Sequence, residues 1–249
     1  MQSSARRVLA TLSLLASASG ALAGPTLHQE DFEGASYQGW LVNGNDMIFS
    51  GLETGRFMGI PFDTFWGVTL SNTDVSNPLI GDLTRHGGDL RVQVDVKVTA
   101  LRNFWGNPIP PSYFPLTLQL VDIGDPNDFE DDASVFLVGG GLPTEGAGWQ
   151  TRTFTIADMT SLTLPPGWGG AGDEDPVTFE PILPAGRTYA DVLASVDEVR
   201  LTTFVPGYFY GFNFWEVGFD NVRVSRVPAP ASLAMLGAVG LFGARRRRF

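Results

Sequence analysis

The clearest pattern in the sequence is Leu90-Arg91-Val92-Gln93-Val94-Asp95-Val96-Lys97-Val98, in which every even-numbered residue is apolar and every odd-numbered residue is polar. Strict alternation places the apolar side chains on one face of a β-strand and the polar ones on the other. The stretch therefore predicts a half-buried strand whose valines face a hydrophobic core.

The same alternation, or a short apolar run, recurs along the chain and predicts further strands. These strands are Leu116–Val121, Ser134–Val138, Thr151–Ile156, Val199–Thr202 and Val217–Val224. Ser134–Val138 is almost wholly apolar, which predicts a strand covered on both faces.

Only one internal segment, Thr188–Ser195, has a helical pattern, with Thr188 as its N-cap and Asp191 three residues on as in a capping box. Many short strands with almost no helix predict an all-β fold, an antiparallel β-sandwich.

The region between the two chain ends is strongly acidic. Residues 24–226 hold all 27 acidic residues against ten basic ones, a net charge of −17. A nucleic-acid partner is not expected, because a polyanion would be repelled and no basic stripe is present. Cysteine is absent, so no disulfide can stabilise this region and no thiolate can act as a nucleophile or metal ligand in it.

The N-terminal segment predicts export. Arg6 and Arg7 precede an apolar stretch that ends near Ala18, and Ala21 and Ala23 are small residues at the two specificity positions of a signal-peptidase site. This order predicts a signal peptide over residues 1–23. Its partners would be the export machinery of a bacterium and a signal peptidase.

The C-terminal segment predicts a short membrane helix. Val227, Pro228, Ala229 and Pro230 precede an uncharged stretch, 231–244, and Arg245, Arg246, Arg247 and Arg248 follow it. A helix over 231–244 would span about 21 Å, less than the ~30 Å hydrocarbon core, so it suits temporary anchoring in the cytoplasmic membrane. The arginines would hold its end on the cytoplasmic side.

This tail, residues 227–249, resembles a PEP-CTERM sorting signal, although Ala229 stands where that family commonly has Glu. The resemblance implies recognition by an exosortase-type protease, cleavage near residues 227–230, and a final location at the cell surface or outside the cell. An ordinary tail anchor would have the same topology and would differ only in processing.

The middle region, residues 24–226, has a second resemblance. Ile80–Leu90 leading into the strand of valines, Val135–Leu142, Thr188–Val196 and Gly218–Val222 occur in the order found in the laminin IV type A module. Its two ends, Glu30–Gly34 with Gly39-Trp40 and Phe219–Val222, resemble those of galactose-binding-like and carbohydrate-binding jelly rolls. These resemblances imply a jelly roll whose first and last strands pair.

In the jelly rolls that this chain resembles, acidic residues on the terminal strands often hold a structural calcium ion. Calcium prefers six to eight oxygen ligands. The resemblance therefore implies a site with Glu33 and Asp220 as ligands and Asp31 or Glu30 nearby. The alternative is that these acids are solvated strand-end residues. Solvated charge is also the expectation for Asp122–Asp132 and Asp173–Asp175, with weak calcium binding as the alternative there.

Catalytic patterns are weak. The two histidines, His28 and His86, have no metal-ligand spacing, and we expect His28 to be exposed and His86 to lie in a turn. No Gly-x-Ser-x-Gly motif is present. No catalytic residue is therefore assigned, but a pair of carboxylates for glycoside hydrolysis stays open.

Aromatic residues are dense in three segments, Phe62–Trp66, Asn103–Trp105 and Tyr208–Trp215. Ring faces beside Asn and Asp groups can hold sugar rings by stacking and hydrogen bonding. This predicts a sugar platform that uses Trp66, Trp105 or Tyr210, with core packing as the alternative.

The sequence thus predicts an exported, non-enzymatic protein of the cell surface or extracellular matrix, with an adhesive, structural or polysaccharide-binding β-sandwich. The competing hypothesis is a secreted polysaccharide-active enzyme that uses a carboxylate pair.

Overall fold

The computed structural model describes residues 24–34, 37–44, 48–51, 55–60, 67–124, 132–209 and 211–228. The first seven strands are β1 (Thr26–Glu30), β2 (Trp40–Val42), β3 (Ile48–Gly51), β4 (Gly55–Ile60), β5 (Thr69–Asn72), β6 (Leu90–Asn103) and β7 (Pro115–Asp122). The next seven are β8 (Ala133–Gly141), β9 (Gln150–Ile156), β10 (Trp168–Ala171), β11 (Asp173–Glu174), β12 (Pro181–Ile182), β13 (Glu198–Thr202) and β14 (Asn213–Arg226). One α-helix, α1 (Tyr189–Leu193), precedes β13, and short 3-10 turns cover Leu83–His86 and Pro111–Tyr113.

Twelve of these strands form two antiparallel sheets. The first has the order β3-β4-β14-β6-β9, with β1 also paired to β14, and the second has the order β10-β8-β7-β13-β5-β2. Strands β11 and β12 form a small separate hairpin. The predicted all-β class with antiparallel sheets is therefore confirmed, while the more specific jelly-roll assignment stays a prediction.

The core lies between the sheets, and the alternation predicted for residues 90–98 supplies much of it. Val92, Val94, Val96 and Val98 of β6 are buried, whereas the polar residues between them are partly exposed. Strand β7 contributes leucines to the same hydrophobic cluster from the second sheet. Two sheets that bury alternate side chains against each other form a sandwich.

The helix prediction is confirmed with slightly shorter bounds. Thr188 caps α1, its hydroxyl oxygen accepting the backbone N–H of Asp191 (3.2 Å), while the Asp191 carboxylate accepts the N–H of Thr188 (2.8 Å). Tyr189, Val192 and Leu193 are buried. The capping box thus starts a helix of a little more than one turn, and packing retains it.

The prediction that Ser134–Val138 is covered on both faces is wrong at its end. Residues Ala133–Phe136 of β8 are buried, but Val138 is 42% exposed. The reason lies in the pairing with β10, which ends at Leu137 opposite Trp168. Beyond that residue nothing from β10 lies beside the strand.

The first and last strands of the sandwich pair, as the jelly-roll resemblance implies. Glu30 of β1 is the direct partner of Val222 on β14. All the strands belong to one compact unit, Thr26–Val227. The other unit comprises the two chain ends, of which only Gly24, Pro25 and Pro228 are described.

The predicted signal peptide, the apolar stretch 231–244 and the arginine cluster lie outside the described residues, as do Ala229 and Pro230. Within the described part of the chain, no helix has the length and apolar character needed to cross a bilayer.

The two faces of β6 give a matched test of the fold. We expect Val94→Ala to lower the free energy of unfolding by about 2 kcal/mol or more, because it removes buried methyl groups and leaves a cavity. Gln93→Ala, one residue away on the outer face, should change it by less than about 0.5 kcal/mol. Denaturant unfolding measures both variants, and equal losses would contradict the assignment of faces.

Candidate functional site

Several connecting loops emerge at the same end of the sandwich. Strand β6 ends at Asn103 directly opposite Asn213, where β14 begins. In the second sheet β13 ends at Thr202 opposite Thr117, near the start of β7. Since neighbouring antiparallel strands end and begin at one edge, the 104–114 and 203–212 loops both lie at this end.

These loops carry the exposed aromatic side chains of this end, and we call the set the aromatic end. Trp105 is 80% exposed, and the other members are also solvent-accessible. The set is Phe104, Trp105, Tyr113, Tyr208, Phe209 and Phe212. Exposed aromatic side chains gathered at one end of a domain make that end a candidate interaction site.

The turn that carries Phe104 and Trp105 is held by one side chain. The Asn103 carbonyl oxygen (Oδ1) accepts the backbone N–H groups of Trp105 (3.0 Å) and Asn107 (2.9 Å). The backbone carbonyl of Asn103 accepts the N–H of Gly106, whose φ of 79° suits glycine. The two rings meet edge to face with centroids 6.2 Å apart. The turn therefore presents its rings in a pre-organised arrangement.

An ion pair supports the base of this turn. The Arg102 guanidinium donates two hydrogen bonds to the Glu145 carboxylate, at 2.6 and 2.9 Å, and a third to the carbonyl of Leu101. The bond to Arg102 lowers the pKa of Glu145. This bidentate contact ties the 142–149 loop to the end of β6.

The 203–212 loop is anchored at its start. Thr203 accepts the N–H of Val68 with its hydroxyl (2.9 Å) and donates its own N–H to the carbonyl of Val68 (2.9 Å). Further along, the Phe209 and Phe212 rings meet edge to face at 5.6 Å. The loop that carries these exposed rings is therefore fixed at its start, between the end of β13 and the residue before β5.

Of the predicted sugar platform, only Trp105 is described, and it belongs to the aromatic end. Trp66 and Tyr210 lie outside the described residues. Tyr113 lies outside the three aromatic segments of the sequence and ends a 3-10 turn that begins at Pro111. The aromatic run Tyr208–Trp215 is divided in the structure, because β14 begins only at Asn213 and buries Trp215.

The acids predicted to bind calcium come within electrostatic range of one another. Asp220 is buried on β14, opposite Asp95 on β6. Burial, first of all, raises the pKa of Asp220 to about 6, with smaller contributions from the charges of Asp95, Glu33 and Asp31 and against the lowering effect of a hydrogen bond from the N–H of Asn221. The structure therefore concentrates negative charge around a buried carboxyl group.

Glu30 has a different environment. It is buried, one carboxylate oxygen accepts the N–H of Phe32 (2.7 Å), and the other has no hydrogen-bond partner within the described part of the chain. Burial raises the pKa of Glu30. Its direct strand partner, Val222, belongs to the core.

These acids do not form a ready-made ligand cage. The Glu33 carboxylate accepts the backbone N–H of Arg56, and the Asp31 carboxylate accepts that of Glu33. Within the described residues, no group of three or more His, Cys, Asp or Glu side chains is placed to hold a metal ion. The buried carboxyl of Asp220 and the unpartnered oxygen of Glu30 are the features that a cation would compensate. The calcium site stays a prediction.

Asp122, the first acid of the Asp122–Asp132 cluster, is not a solvated residue. It is buried and ion-paired with Arg187. Asp125–Asp131 lie outside the described residues. Asp173 and Glu174 are exposed, as expected.

The histidines have structural contacts. His28 is half-buried rather than exposed, because its Nε2 accepts the indole N–H of Trp40 (3.3 Å), and burial lowers its pKa. The His86 Nε2 lies 2.8 Å from the carbonyl oxygen of Pro78, which requires the ring to donate there. His86 ends the turn Leu83–His86, as predicted.

No protein-family model matches the chain, and no curated protein matches it. Four chains among the solved structures match. One is a family 30 carbohydrate-binding module of a cellulosomal cellulase of Clostridium thermocellum, with 10% sequence identity, a TM-score of 0.38, and coverage of 84% of this chain and 97% of that chain. Values this low establish neither a family nor a ligand for this protein.

The raised pKa of Asp220 predicts a pH-dependent stability. A carboxyl with a folded-state pKa of about 6 against an ordinary 3.8 is protonated in both states below pH 3.8, and it destabilises the fold as pH rises through 6. In the presence of a chelator we therefore expect Asp220→Asn to be more stable than the wild type at about pH 7.5, by up to about 3 kcal/mol.

At about pH 3.5 the two proteins should be similarly stable, because both then carry a neutral group at position 220. Urea unfolding at several pH values measures this, with Glu174→Gln as the control for removing an exposed acid. A wild type that equals or exceeds Asp220→Asn at pH 7.5 would contradict the assignment.

Proposed function

We propose that this protein is a non-enzymatic polysaccharide-binding β-sandwich that holds a glycan chain against its aromatic end. The observation that carries the proposal is that exposed rings from two loops gather at one end of a rigid sandwich. Planar ring faces stack on the C–H faces of sugar rings, and adjacent polar groups hydrogen-bond their hydroxyls.

The aromatic end supplies both kinds of contact. Trp105 offers a largely exposed indole on a turn that Asn103 holds in place. Arg102 and Glu145 lie at the base of the same turn and provide charged donors and acceptors. Because the turn is already ordered, little conformational entropy would be lost when a sugar binds.

The location that we propose is the cell surface or the extracellular matrix. The signal-peptide pattern of residues 1–23 and the PEP-CTERM-like tail of residues 227–249 support export and sorting by an exosortase-type protease. In such a setting, binding to matrix polysaccharide would make the protein adhesive or structural.

We also propose that a structural calcium ion binds near Asp220, Glu33 and Asp31. The buried carboxyl of Asp220 and the charges around it support this, because a divalent cation would offset their repulsion. Repeating the unfolding comparison with calcium in place of chelator decides it. Calcium should stabilise the wild type but not Asp220→Asn, and no gain in the wild type would overturn the proposal.

Trp105→Ala tests the binding surface. We expect it to weaken binding to matrix polysaccharide about tenfold, because stacking on an aromatic ring contributes roughly 1–2 kcal/mol. The melting temperature should stay unchanged, since the indole is exposed. Affinity electrophoresis or calorimetry with purified polysaccharides measures the loss.

The matched control is Val75→Ala, which truncates a side chain that is 84% exposed and lies after β5, outside the aromatic end. It should bind like the wild type. Unchanged binding by Trp105→Ala, or release of reducing sugar from the polysaccharide by the wild type, would count against a non-enzymatic glycan-binding role.

Processing is tested on protein recovered from its native host. We expect a mature N-terminus at Gly24 and loss of the residues that follow the 227–230 motif. Intact-mass measurement reads both ends at once. A mature protein that retains residues 1–23 would contradict export by this route, and one that retains residues 231–249 would contradict sorting by cleavage.

A further inference from the structure

A cavity of about 550 Å³ lies where the β11–β12 hairpin meets the 203–207 segment. Its lining includes Asp173, Glu174, Phe179, Phe204 and Pro206. The volume falls within the range of about 300–1,000 Å³ that small-molecule sites occupy. Since Tyr208 follows this segment directly, the cavity and the aromatic end share one loop.

The walls of the cavity are closely packed. A Cβ atom at Gly207 would lie 2.7 Å from the ring of Pro181, and one at Gly172 would lie 2.3 Å from the carbonyl oxygen of Asp132. Both glycines have positive φ angles. The hairpin and the loop therefore approach closely at Gly207 and Pro181, beside a pocket that is largely open to solvent.

The hairpin turn is also fixed. The Asp175 carboxylate accepts the N–H groups of Val177 and Thr178 at 2.8 Å, and the carbonyl of Asp175 accepts the N–H of Phe179. Phe179 has a φ of 59° and is 72% exposed. A bulky residue rarely adopts this conformation, so the hairpin holds the ring at the cavity in spite of a conformational cost.

The ionisable side chains that line the cavity are all acidic. Asp173 and Glu174 are its ionisable side chains, and the lining includes no basic residue. Glu174 has no hydrogen bond or ion pair from its carboxylate within the described part of the chain. Arg187, the next basic residue after the hairpin, is already paired with Asp122. The surrounding domain, with a net charge of −17, adds to the negative potential.

Carboxylates beside aromatic rings form a site for an ammonium group, which gains Coulomb attraction from the acids and cation–π attraction from the rings. A uronic acid would be repelled, and a neutral sugar would gain only hydrogen bonds. We propose that the cavity takes an amino-sugar unit, so that the polysaccharide this protein prefers is a cationic one with free amino groups. This inference rests on the proposed function and specifies its substrate class.

The experiment compares three oligosaccharides of equal length on the full chain: fully deacetylated glucosamine, its N-acetylated counterpart, and a uronate. Calorimetry at a pH at which the amine is protonated should show the glucosamine oligomer binding most tightly and the uronate most weakly. Raising the salt concentration should weaken glucosamine binding and leave the acetylated oligomer almost unaffected.

Glu174→Gln and Phe179→Gly should each weaken glucosamine binding by about two- to fivefold. Phe179→Gly should also keep or raise the melting temperature, because glycine adopts the φ of 59° without strain. The control is Glu180→Gln, which removes an exposed acid from the same hairpin outside the lining of the cavity. Its binding should match the wild type.

Equal binding of the acetylated and deacetylated oligomers, or unchanged binding by Glu174→Gln, would overturn the inference. A lysine peptide that competes as well as glucosamine would also overturn it, because the site would then recognise ammonium alone. If neutral oligosaccharides bind through Trp105 while glucosamine has no advantage, only this inference fails. If no oligosaccharide binds at all, the proposed function fails as well.

Discussion

The antiparallel pairing of β6 with β14 organises the sandwich, because it positions both the aromatic end and strand β1. Both strands are 14 residues long, and their register extends from Leu90 opposite Arg226 to Asn103 opposite Asn213. One end of this ladder fixes the loops of the aromatic end. Near its other end, β14 also receives β1, so that the first and last strands of the sandwich become neighbours.

An irregularity in the same ladder lies directly beside the acidic cluster. The register shifts between Asp220 and Arg223, where Asn221 has a φ of 51°. The Asn221 side chain donates to the Asp95 carboxylate (3.0 Å), which also accepts the hydroxyl of Thr151 (2.5 Å). A bulge of this kind redirects side chains that a regular strand would alternate. Asp220 itself precedes the bulge, directly opposite Asp95, and is buried there with a raised pKa.

The strands could be predicted from the sequence because each carries its own periodicity. The valines of residues 92–98 and the leucines of β7 alternate clearly, and Thr188 with Asp191 is a local capping signal. The site was harder to predict, because exposure depends on which loops meet. Nothing in the Tyr208–Trp215 run shows that Phe212 is exposed and Trp215 buried; the start of β14 decides it.

The cavity beside the aromatic end could not be predicted for a related reason. Strands β11 and β12 are two residues long, too short for any pattern, and Asp173–Asp175 resembled solvated charge. Their importance comes from the contact of Gly207 with Pro181, which joins segments distant in sequence. Long-range packing of glycine and proline has no local signal. Asp173 and Glu174 are exposed, as expected, but they also line a pocket.

Binding of a polysaccharide at the aromatic end can be observed by following the indole N–H signals of the six tryptophans by NMR during titration with an oligosaccharide. We expect the Trp105 signal to shift progressively and saturate, while the signals of Trp40 and Trp215, which are buried in the core, stay in place. A titration in which Trp105 does not move, although the sugar binds, would contradict it.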